Sequence, residues 1–406
     1  MHKLLLRPCP LCAGTGGPVL HAQNFAVMDE LGMESQVDIV ACGTCGMVFN
    51  DISTQQADLD RTYEEHSKYA DTTLYGDEGE VELSPEAPWD VERLESTAAW
   101  LDSVLADKDL RLLDAGCATG TFLGALKGLG WENLVGLDPS PVATETATRV
   151  HGVETVTGSF LEPPGDIGEF DVVALSHVLE HLVDVRGAVE GIRTLTRPGG
   201  FAYLEVPDAS AYADHLVAPF HDFNTEHINH FSLPLLCRLM EAFGFTEVES
   251  GAKVIRCSAT HDYPAIFGLW QRSSENSKPE AFAGRDEELL VAIRGYVERS
   301  SELLSRFDAT LNSELEGQDD VAIWGAGQLA LKILSETVLA EKNVVAIIDG
   351  SPQKQGMHLG GRVVGAPEEL RDSDYPVVVA SVHHAEAIVH AITGAHGLAN
   401  RLVLLG

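Results

Sequence analysis

The chain has 406 residues, enough for two or three domains at roughly 100–200 residues each. Hydrophobic residues make up 45% and charged residues 22%, an ordinary globular balance, but 62 Asp and Glu face only 27 Lys and Arg. The net charge of −35 repels nucleic-acid phosphates and anionic membranes and so favours a small-molecule substrate over either. No apolar run approaches the roughly 20 residues that span a bilayer, and the leucines at Leu4 to Leu6 are too few for a signal peptide. The expectation is a cytoplasmic protein, monomeric or homodimeric.

Residues 1–50 carry two pairs, Cys9-Pro10-Leu11-Cys12 and Cys42-Gly43-Thr44-Cys45. Each tight turn presents two thiolates, and two turns give the four sulfur ligands that tetrahedral zinc takes. Zn2+ on Cys9, Cys12, Cys42 and Cys45 is therefore expected. Its role is structural, because four sulfurs leave no open position. The alternative, a redox pair, normally opens a helix after a strand and comes singly. Cys117, Cys237 and Cys257 read as buried small hydrophobes. Residues 51–90 are polar and acidic, with Tyr63, Tyr69 and Tyr75, and read as a helix and a loop that could cover a site.

Val91 to Lys108 has helical spacing at Leu94, Ala98, Leu101 and Leu105. From Leu110 strands and helices alternate. Strands are predicted at Leu110 to Leu113, Leu134 to Leu137, Asp171 to Leu175 and Phe201 to Val206, with a helix from Phe122 to Leu129. That rhythm predicts a doubly wound α/β domain. Residues 207–275 break it, Ser273 to Pro279 reads as a linker, 283–315 reads as one long helix, and a second alternating unit starts at Val321.

Leu112-Leu113-Asp114-Ala115-Gly116-Cys117-Ala118-Thr119-Gly120 lies at a strand-to-helix junction, where glycines let a ligand approach the backbone. A nicotinamide-binding domain or a structural turn are the alternatives. The stretch resembles motif I of class I methyltransferases. Leu137-Asp138-Pro139-Ser140, Gly158-Ser159-Phe160-Leu161, Phe170 to Ser176 and Arg197-Pro198-Gly199-Gly200 continue that resemblance in order. It implies S-adenosyl-L-methionine bound by Asp114, Gly116, Ala118, Gly120, Phe122, Asp138, Pro139, Ser159, Phe160, Ser176 and His177. Asp138 would accept hydrogen bonds from the ribose hydroxyls.

Nearly the whole chain also resembles the sugar C-methyltransferase family. The resemblance rests on the two cysteine pairs, Ser176-His177-Val178-Leu179-Glu180-His181, Glu205-Val206-Pro207 and Thr225-Glu226-His227-Ile228-Asn229-His230-Phe231-Ser232. It implies a nucleotide-linked keto-deoxysugar as acceptor. Methylating carbon requires a carbanion equivalent, and an imidazole can remove the acidic proton beside a ketone. His227 is the candidate base with Glu226 beside it, and His181 and Asn224 are candidate partners of the enolate oxygen. His177 and His181, four apart, are expected on one helix face, as a structural helix start or a site. His215, His221, Asn229 and His230 read as polar surface. Asn224 stands where the family carries a tyrosine, and Tyr69 or Tyr75 could contribute from the preceding segment.

Val321-Ala322-Ile323-Trp324-Gly325-Ala326-Gly327-Gln328-Leu329-Ala330 matches G-x-G-x-x-A, with Asp349 ending the next strand. The fingerprint alone suggests NAD. The resemblance implies the sugar nucleotide instead, with Lys354 a candidate phosphate contact, and a purely structural lid stays open. The expected fold is α/β, a class I methyltransferase Rossmann-like core flanked by a small N-terminal zinc-binding domain and a C-terminal Rossmann-like α/β domain. The expected boundaries are 1–70, 71–260 and 261–406. O- or N-methylation of a sugar or secondary metabolite is the near alternative, and an NAD-dependent oxidoreductase the distant one.

Overall fold

The computed structural model of the chain describes residues 2–26, 34–59, 61, 73–75, 81–83, 88–165, 167–258, 261–274, 280–352 and 354–405. Three larger sheets are present among them. The first combines β1 (His2–Leu4), β2 (Gly16–Asn24), β3 (Gln36–Ala41) and β4 (Val48–Asp51) with β12 (Asn229–His230), a strand from far along the chain. The order is β1-β2-β3-β4-β12, antiparallel throughout. Asn229 pairs with Phe49 and His230 with Val48.

Arg7 clamps this junction. It is buried, and burial lowers its pKa to about 10, so the guanidinium stays charged at neutral pH. Its rigid fork of donors reaches the carbonyls of Asn50 (2.9 Å) and Ile228 (2.8 Å) and the Asn229 side-chain oxygen (3.0 Å).

The central sheet has the order β13-β14-β11-β10-β7-β8-β9. Its members are β7 (Leu112–Ala115), β8 (Leu134–Asp138), β9 (Glu154–Thr157), β10 (Phe170–Ser176), β11 (Thr196–Pro207), β13 (Phe245–Arg256) and β14 (Asp262–Arg272). The first five in sequence are parallel and run in the 3-2-1-4-5 order of nucleotide-binding sheets. β14 is antiparallel to both neighbours and closes the edge as a hairpin with β13.

Side-chain alternation shows that both faces are covered. Leu112, Val172 and Tyr203 pack with Ala98 and Leu101 of α1 (Pro88–Val104) and with α2 (Thr121–Gly128). Leu113, Val173 and Leu204 pack with Val185, Val189 and Ile192 of α4 (Val185–Leu195). Successive strand residues point to opposite faces, so each apolar run feeds two cores. α3 (Pro141–His151) and α5 (Leu233–Ala242) complete the layers.

The third sheet has the order β17-β18-β16-β15-β19-β20. It comprises β15 (Asp320–Trp324), β16 (Asn343–Ile348), β17 (His358–Leu359), β18 (Arg362–Gly365), β19 (Val377–Val379) and β20 (Leu402–Leu404). All but β17 are parallel, with α7 (Gln328–Glu336) following β15 and α8 (Ala385–His390) following β19. The long helix α6 (Glu287–Glu314) leads into this sheet. Its N-cap Asp286 accepts from Leu289 N at 2.9 Å, and its own N–H donates to Cys45 O at 3.0 Å, so the helix start sits on the second cysteine turn.

Two stretches depart from the sequence expectation. The β13–β14 hairpin fills part of 207–275, where no strand was read. β13 is an exposed edge strand without apolar alternation, and β14 contains Pro264, a residue that argues against a strand in sequence. Within 51–90, a small hairpin of β5 (Thr73–Tyr75) and β6 (Val81–Leu83) is described. Tyr63, Tyr69 and residues 275–279 of the expected linker lie outside the described residues, and no side-chain placement is described for Tyr75.

Replacing Arg7 with Met leaves three buried acceptors unsatisfied at the β4–β12 junction. The expected loss of stability is about 3 kcal/mol, read as a shift in urea midpoint. An unchanged midpoint would show that the guanidinium does not hold this junction.

Candidate functional site

The turn after β7 is shaped by three left-handed residues, Gly116 (φ +85°), Ala118 (φ +46°) and Gly120 (φ +82°). The two glycines are required by the chain itself. A Cβ at Gly120 would lie 2.6 Å from Ala147 Cβ, and one at Gly116 would lie 2.5 Å from Val178 Cγ2. Asp138 braces the turn, its carboxylate accepting from Ala118 N (2.9 Å) and Ser140 N (2.9 Å). Each of its oxygens keeps a lone pair for a further donor. Pro139 follows it directly, and Ser159 and Phe160 come from the loop after β9. Phe160 is buried against α4, where Gly191 leaves room for its ring. Phe122 departs from the expectation: it is buried in the core with Leu101, Leu126 and Trp131, as an apolar helix residue facing the sheet.

Asp114 lies near the end of β7 beside Asp138, and both are buried. Burial, then the Asp138 charge, pushes the Asp114 carboxyl up to about 7, with Arg93 of α1 opposing. Burial also raises Asp138.

Next to them, at the ends of β10 and β11, lie two fully buried carboxylates, Glu180 and Glu205. Ser176 Oγ accepts from Arg93 Nη1 at 2.9 Å, and Arg93 also reaches Glu205 at 3.3 Å. Glu205 further accepts from Tyr203 Oη at 2.6 Å and Lys253 Nζ at 2.5 Å. His177 sits between the acids, with Nδ1 3.1 Å from Glu180 Oε1 and Nε2 3.2 Å from Glu205 Oε1. Burial works against its charge, but the two carboxylates outweigh that and its pKa is raised. Glu180 is held down at about 2: burial opposes, and His177 leads the groups that lower it. His177 and His181 do not share a helix face. Only Leu179–His181 forms a short 3-10 turn, and His177 precedes it in a left-handed conformation (φ +56°).

The 224–230 segment comes up against this turn. Ile228 N donates to Glu180 O at 2.9 Å. His181 and His227 meet edge to face at 4.9 Å. Donor atoms of Glu180, His181 and His227 all lie within 4.8 Å of one another. Burial, then the His181 charge, drives the His227 pKa well below the ordinary range, and its Nδ1 is buried with no partner among the described residues.

Two expected roles change. Asn224 is spent on the backbone, its side-chain oxygen accepting from Glu226 N (2.8 Å) and His227 N (2.7 Å). Glu226 is exposed and engages His181 through its backbone carbonyl, at 3.0 Å from His181 Nδ1. The carboxylate near His227 is Glu180. Asn229 and His230 are buried and not surface: Asn229 Nδ2 donates to Leu182 O at 2.7 Å, and His230 Nε2 lies 3.1 Å from Asn50 Oδ1. Glu180, Glu205, Arg93 and Lys253 were given no role from sequence. The available signal was an acid inside the apolar run Tyr203-Leu204-Glu205-Val206, since a charge buried without a partner is costly.

The four paired cysteines do converge. Sγ of Cys9 and Cys45 are 3.5 Å apart, those of Cys12 and Cys42 are 3.4 Å apart, and all four lie within 4.8 Å. A tetrahedral site with bonds of about 2.3 Å needs sulfurs about 3.8 Å apart, so the residues fit the metal. Gly14 leaves room, for a Cβ there would lie 3.0 Å from Cys42 Sγ. Of the other cysteines, Cys117 is buried and Cys237 half-buried, but Cys257 is exposed, contrary to expectation.

The third sheet repeats the bracing of the first turn. Asp349 accepts from Ala326 N (2.8 Å) and Ser351 N (2.9 Å), as Asp138 does, and Lys354 pairs with it at 3.3 Å. Gln328, opening α7, donates to Thr225 Oγ1 at 2.8 Å, beside the 226–227 segment. A small cleft lies there against Phe220, His221, Asn224, Gln328 and Lys332.

Because the folded pKa of Asp114 lies above its unfolded value, folding takes up a proton and Asp114 costs stability as pH rises from about 4 through about 7. In ligand-free protein, Asp114→Asn should therefore raise the urea midpoint at pH 8 and change it little at pH 4.5. The gap is at most roughly 4 kcal/mol. A variant less stable at pH 8 would contradict the burial.

Comparisons with known proteins give the site its context. The family "Methyltransferase domain" matches residues 91–250. Among curated proteins, a ubiquinone biosynthesis O-methyltransferase of Methylocella silvestris is 35% identical over 100 residues, covering 23% of this chain and 38% of that protein. The C-methyltransferase NovU of Streptomyces niveus is 26% identical over 267 residues, 59% of this chain and 61% of that protein. The chain thus spans less than two thirds of either relative. Among solved structures, a magnesium protoporphyrin IX methyltransferase from Synechocystis with bound SAM aligns at 16% identity and TM-score 0.39, covering 54% of this chain and 97% of that one. Residues 91–250 thus match the methyltransferase-domain family, and the central sheet they contribute to runs in the Rossmann-like 3-2-1-4-5 order.

Proposed function

We propose that the protein is an S-adenosylmethionine-dependent methyltransferase that methylates a carbon next to a ketone, with a nucleotide-linked keto-deoxysugar as acceptor. The observation that carries this reading is the placement of a half-buried, neutral imidazole, His227, at the segment packed on the ends of β10 and β11, beside the braced turn of β7 and β8. Ligands of such sheets bind at those carboxyl ends, where the strand order reverses.

Bound S-adenosylmethionine supplies an electrophilic methyl group. Asp138 would accept the ribose hydroxyls with its remaining lone pairs, Ser159 and Phe160 would flank the adenine, and Ser176 and His177 close the opposite side. His227, kept neutral, takes the proton from the acceptor carbon, and His181 stands beside it to face the enolate oxygen. The acceptor's nucleotide would lie towards the turn at Gly325 and Asp349, which the Gln328–Thr225 hydrogen bond connects to the His227 segment. NovU, a C-methyltransferase, is similar over 267 residues and supports this acceptor chemistry. The ubiquinone-pathway relatives favour a second reading, in which His227 deprotonates a hydroxyl for O-methylation. Deuterium exchange from the acceptor carbon before methyl transfer separates the two.

Zinc on Cys9, Cys12, Cys42 and Cys45 would be structural, fixing the start of α6 and the sheet that contains β12. Elemental analysis should give one zinc per chain, and Cys12→Ser should lower both that content and the melting temperature. A metal-free protein of unchanged melting temperature would remove zinc from this reading.

Calorimetry tests the cofactor assignment. Wild type should bind S-adenosylmethionine, and Asp138→Ala should weaken it by roughly 10- to 100-fold, the loss of charge-assisted hydrogen bonds worth about 1.5–3 kcal/mol. Asp138→Asn, which keeps an acceptor for the turn, serves as the control for folding. No binding by folded wild type contradicts the reading.

A further inference from the structure

We propose that the buried Glu205 and Glu180 and the imidazole of His177 between them form a carboxylate–imidazole–carboxylate relay that positions Glu180, and not the adjacent Glu226, as the carboxylate partner of His227. The proposal deepens the methyltransferase reading and rests on it for its last step alone.

The relay is anchored at its far end. Glu205 Oε2 takes Tyr203 Oη at 2.6 Å and Lys253 Nζ at 2.5 Å, and Oε1 takes Arg93 at 3.3 Å and His177 at 3.2 Å. With both oxygens occupied, Glu205 cannot swing. His177 then spans the gap of two acids. A neutral imidazole has one N–H and could donate to one carboxylate only, so with both acids held ionised, serving both at 3.1 and 3.2 Å requires the imidazolium. The backbone agrees. His177 adopts the left-handed conformation at φ +56° while its N–H donates to Glu205 O at 2.8 Å. A non-glycine residue held so is strained unless its surroundings fix it, and such residues gather at active sites.

The near end is left open. Glu180 is fully buried, its Oε1 is taken by His177, and Oε2 has no partner among the described residues. His227, a member of the same small cluster, has its Nδ1 also buried and without a partner among the described residues. Two orphaned atoms of complementary kind, one accepting and one able to carry a proton, are what a base and its orienting carboxylate require. Glu226 lacks that placement because its side chain is exposed.

The consequence for the reaction is specific. His227 takes the proton as the C–H bond breaks, and the electron pair stays on the acceptor as the enolate. The carbon–methyl bond forms as the sulfonium–methyl bond breaks. The imidazolium of His227 is then balanced by Glu180 until it gives the proton to water.

Groups facing the relay are few. His227 is faced by His181, Glu180, His177 and His230; His177 by Glu180, Glu205 and Arg93; and Glu180 by His177, His181 and His227, with the phenols of Tyr212 and Tyr263 feeling its charge.

Nitrogen-15 NMR of the histidine rings in the full-length protein tests this without an acceptor. In wild type, both His177 nitrogens should carry protons at pH 7 and titrate above the ordinary histidine pKa of about 6.5. Glu180→Gln should lower the His177 pKa by at least one unit and move that of His227 further down, whereas Glu226→Gln should move neither by more than a few tenths. His177 found neutral at pH 7 in wild type, a measurement that needs no variant to fold, would overturn the relay. So would an equal effect of Glu226→Gln and Glu180→Gln on His227. Calorimetry with S-adenosylmethionine on the same samples keeps the readings apart: binding without the NMR signature removes the relay alone, and the signature without binding removes the methyltransferase reading alone.

Discussion

Two carboxylates with no solvent access, Glu180 and Glu205, share one imidazole. A buried charge is tolerated only when paired and hydrogen-bonded, and breaking such a pair is more costly than never having had it. The surroundings follow from that constraint. α1 must place Arg93 over the strand ends, β13 must bring Lys253 to β11, and Tyr203 must stand two residues before Glu205 on the same face. The left-handed backbone at His177 is the conformation in which its ring meets both acids. The same charges set the nearby imidazoles apart: His177 is raised by its two carboxylates, while His227 and His230 are lowered by burial.

The site is also a meeting of three sheets. The central sheet supplies the braced turn at Asp138. The N-terminal sheet takes β12 as its last strand, so the segment carrying His227 is held by main-chain pairing to Phe49 and Val48 and by the Arg7 fork. The cysteine turns lie in that sheet's loops, and they also receive Arg285 and Asp286 at the start of α6. The third sheet touches the same segment through Gln328 and Thr225. The cysteine cluster is thereby coupled, through backbone pairing, to the candidate base.

Local features were legible in the sequence, and long-range pairings were not. The strand–glycine turn–helix at Asp114, the acid ending the next strand at Asp138 and the repeat of both at Gly325 and Asp349 are encoded within short windows, and the structure shows them braced alike. The four paired cysteines could be matched because the spacing itself is the signal. By contrast, which carboxylate faces His227 depends on how the 224–230 segment packs on the turn after β10. Adjacency in sequence pointed to Glu226, but a loop turns its neighbouring side chains in different directions, and Asn224 fixes this one by capping two N–H groups. Phe122 was assigned to the cofactor by position, whereas its helix directs it to the core. His177 and His181 were set on one face by a helical spacing that a 3-10 turn does not provide.

The most direct test of the central claim is a crystal structure of the full chain with S-adenosylhomocysteine. The expected result is the ribose on Asp138, the adenine against Phe160, and the sulfur directed toward the His181–His227 pair. A ligand seated instead at the Gly325 turn, or a sulfur directed away from His227, would contradict the assignment of this site.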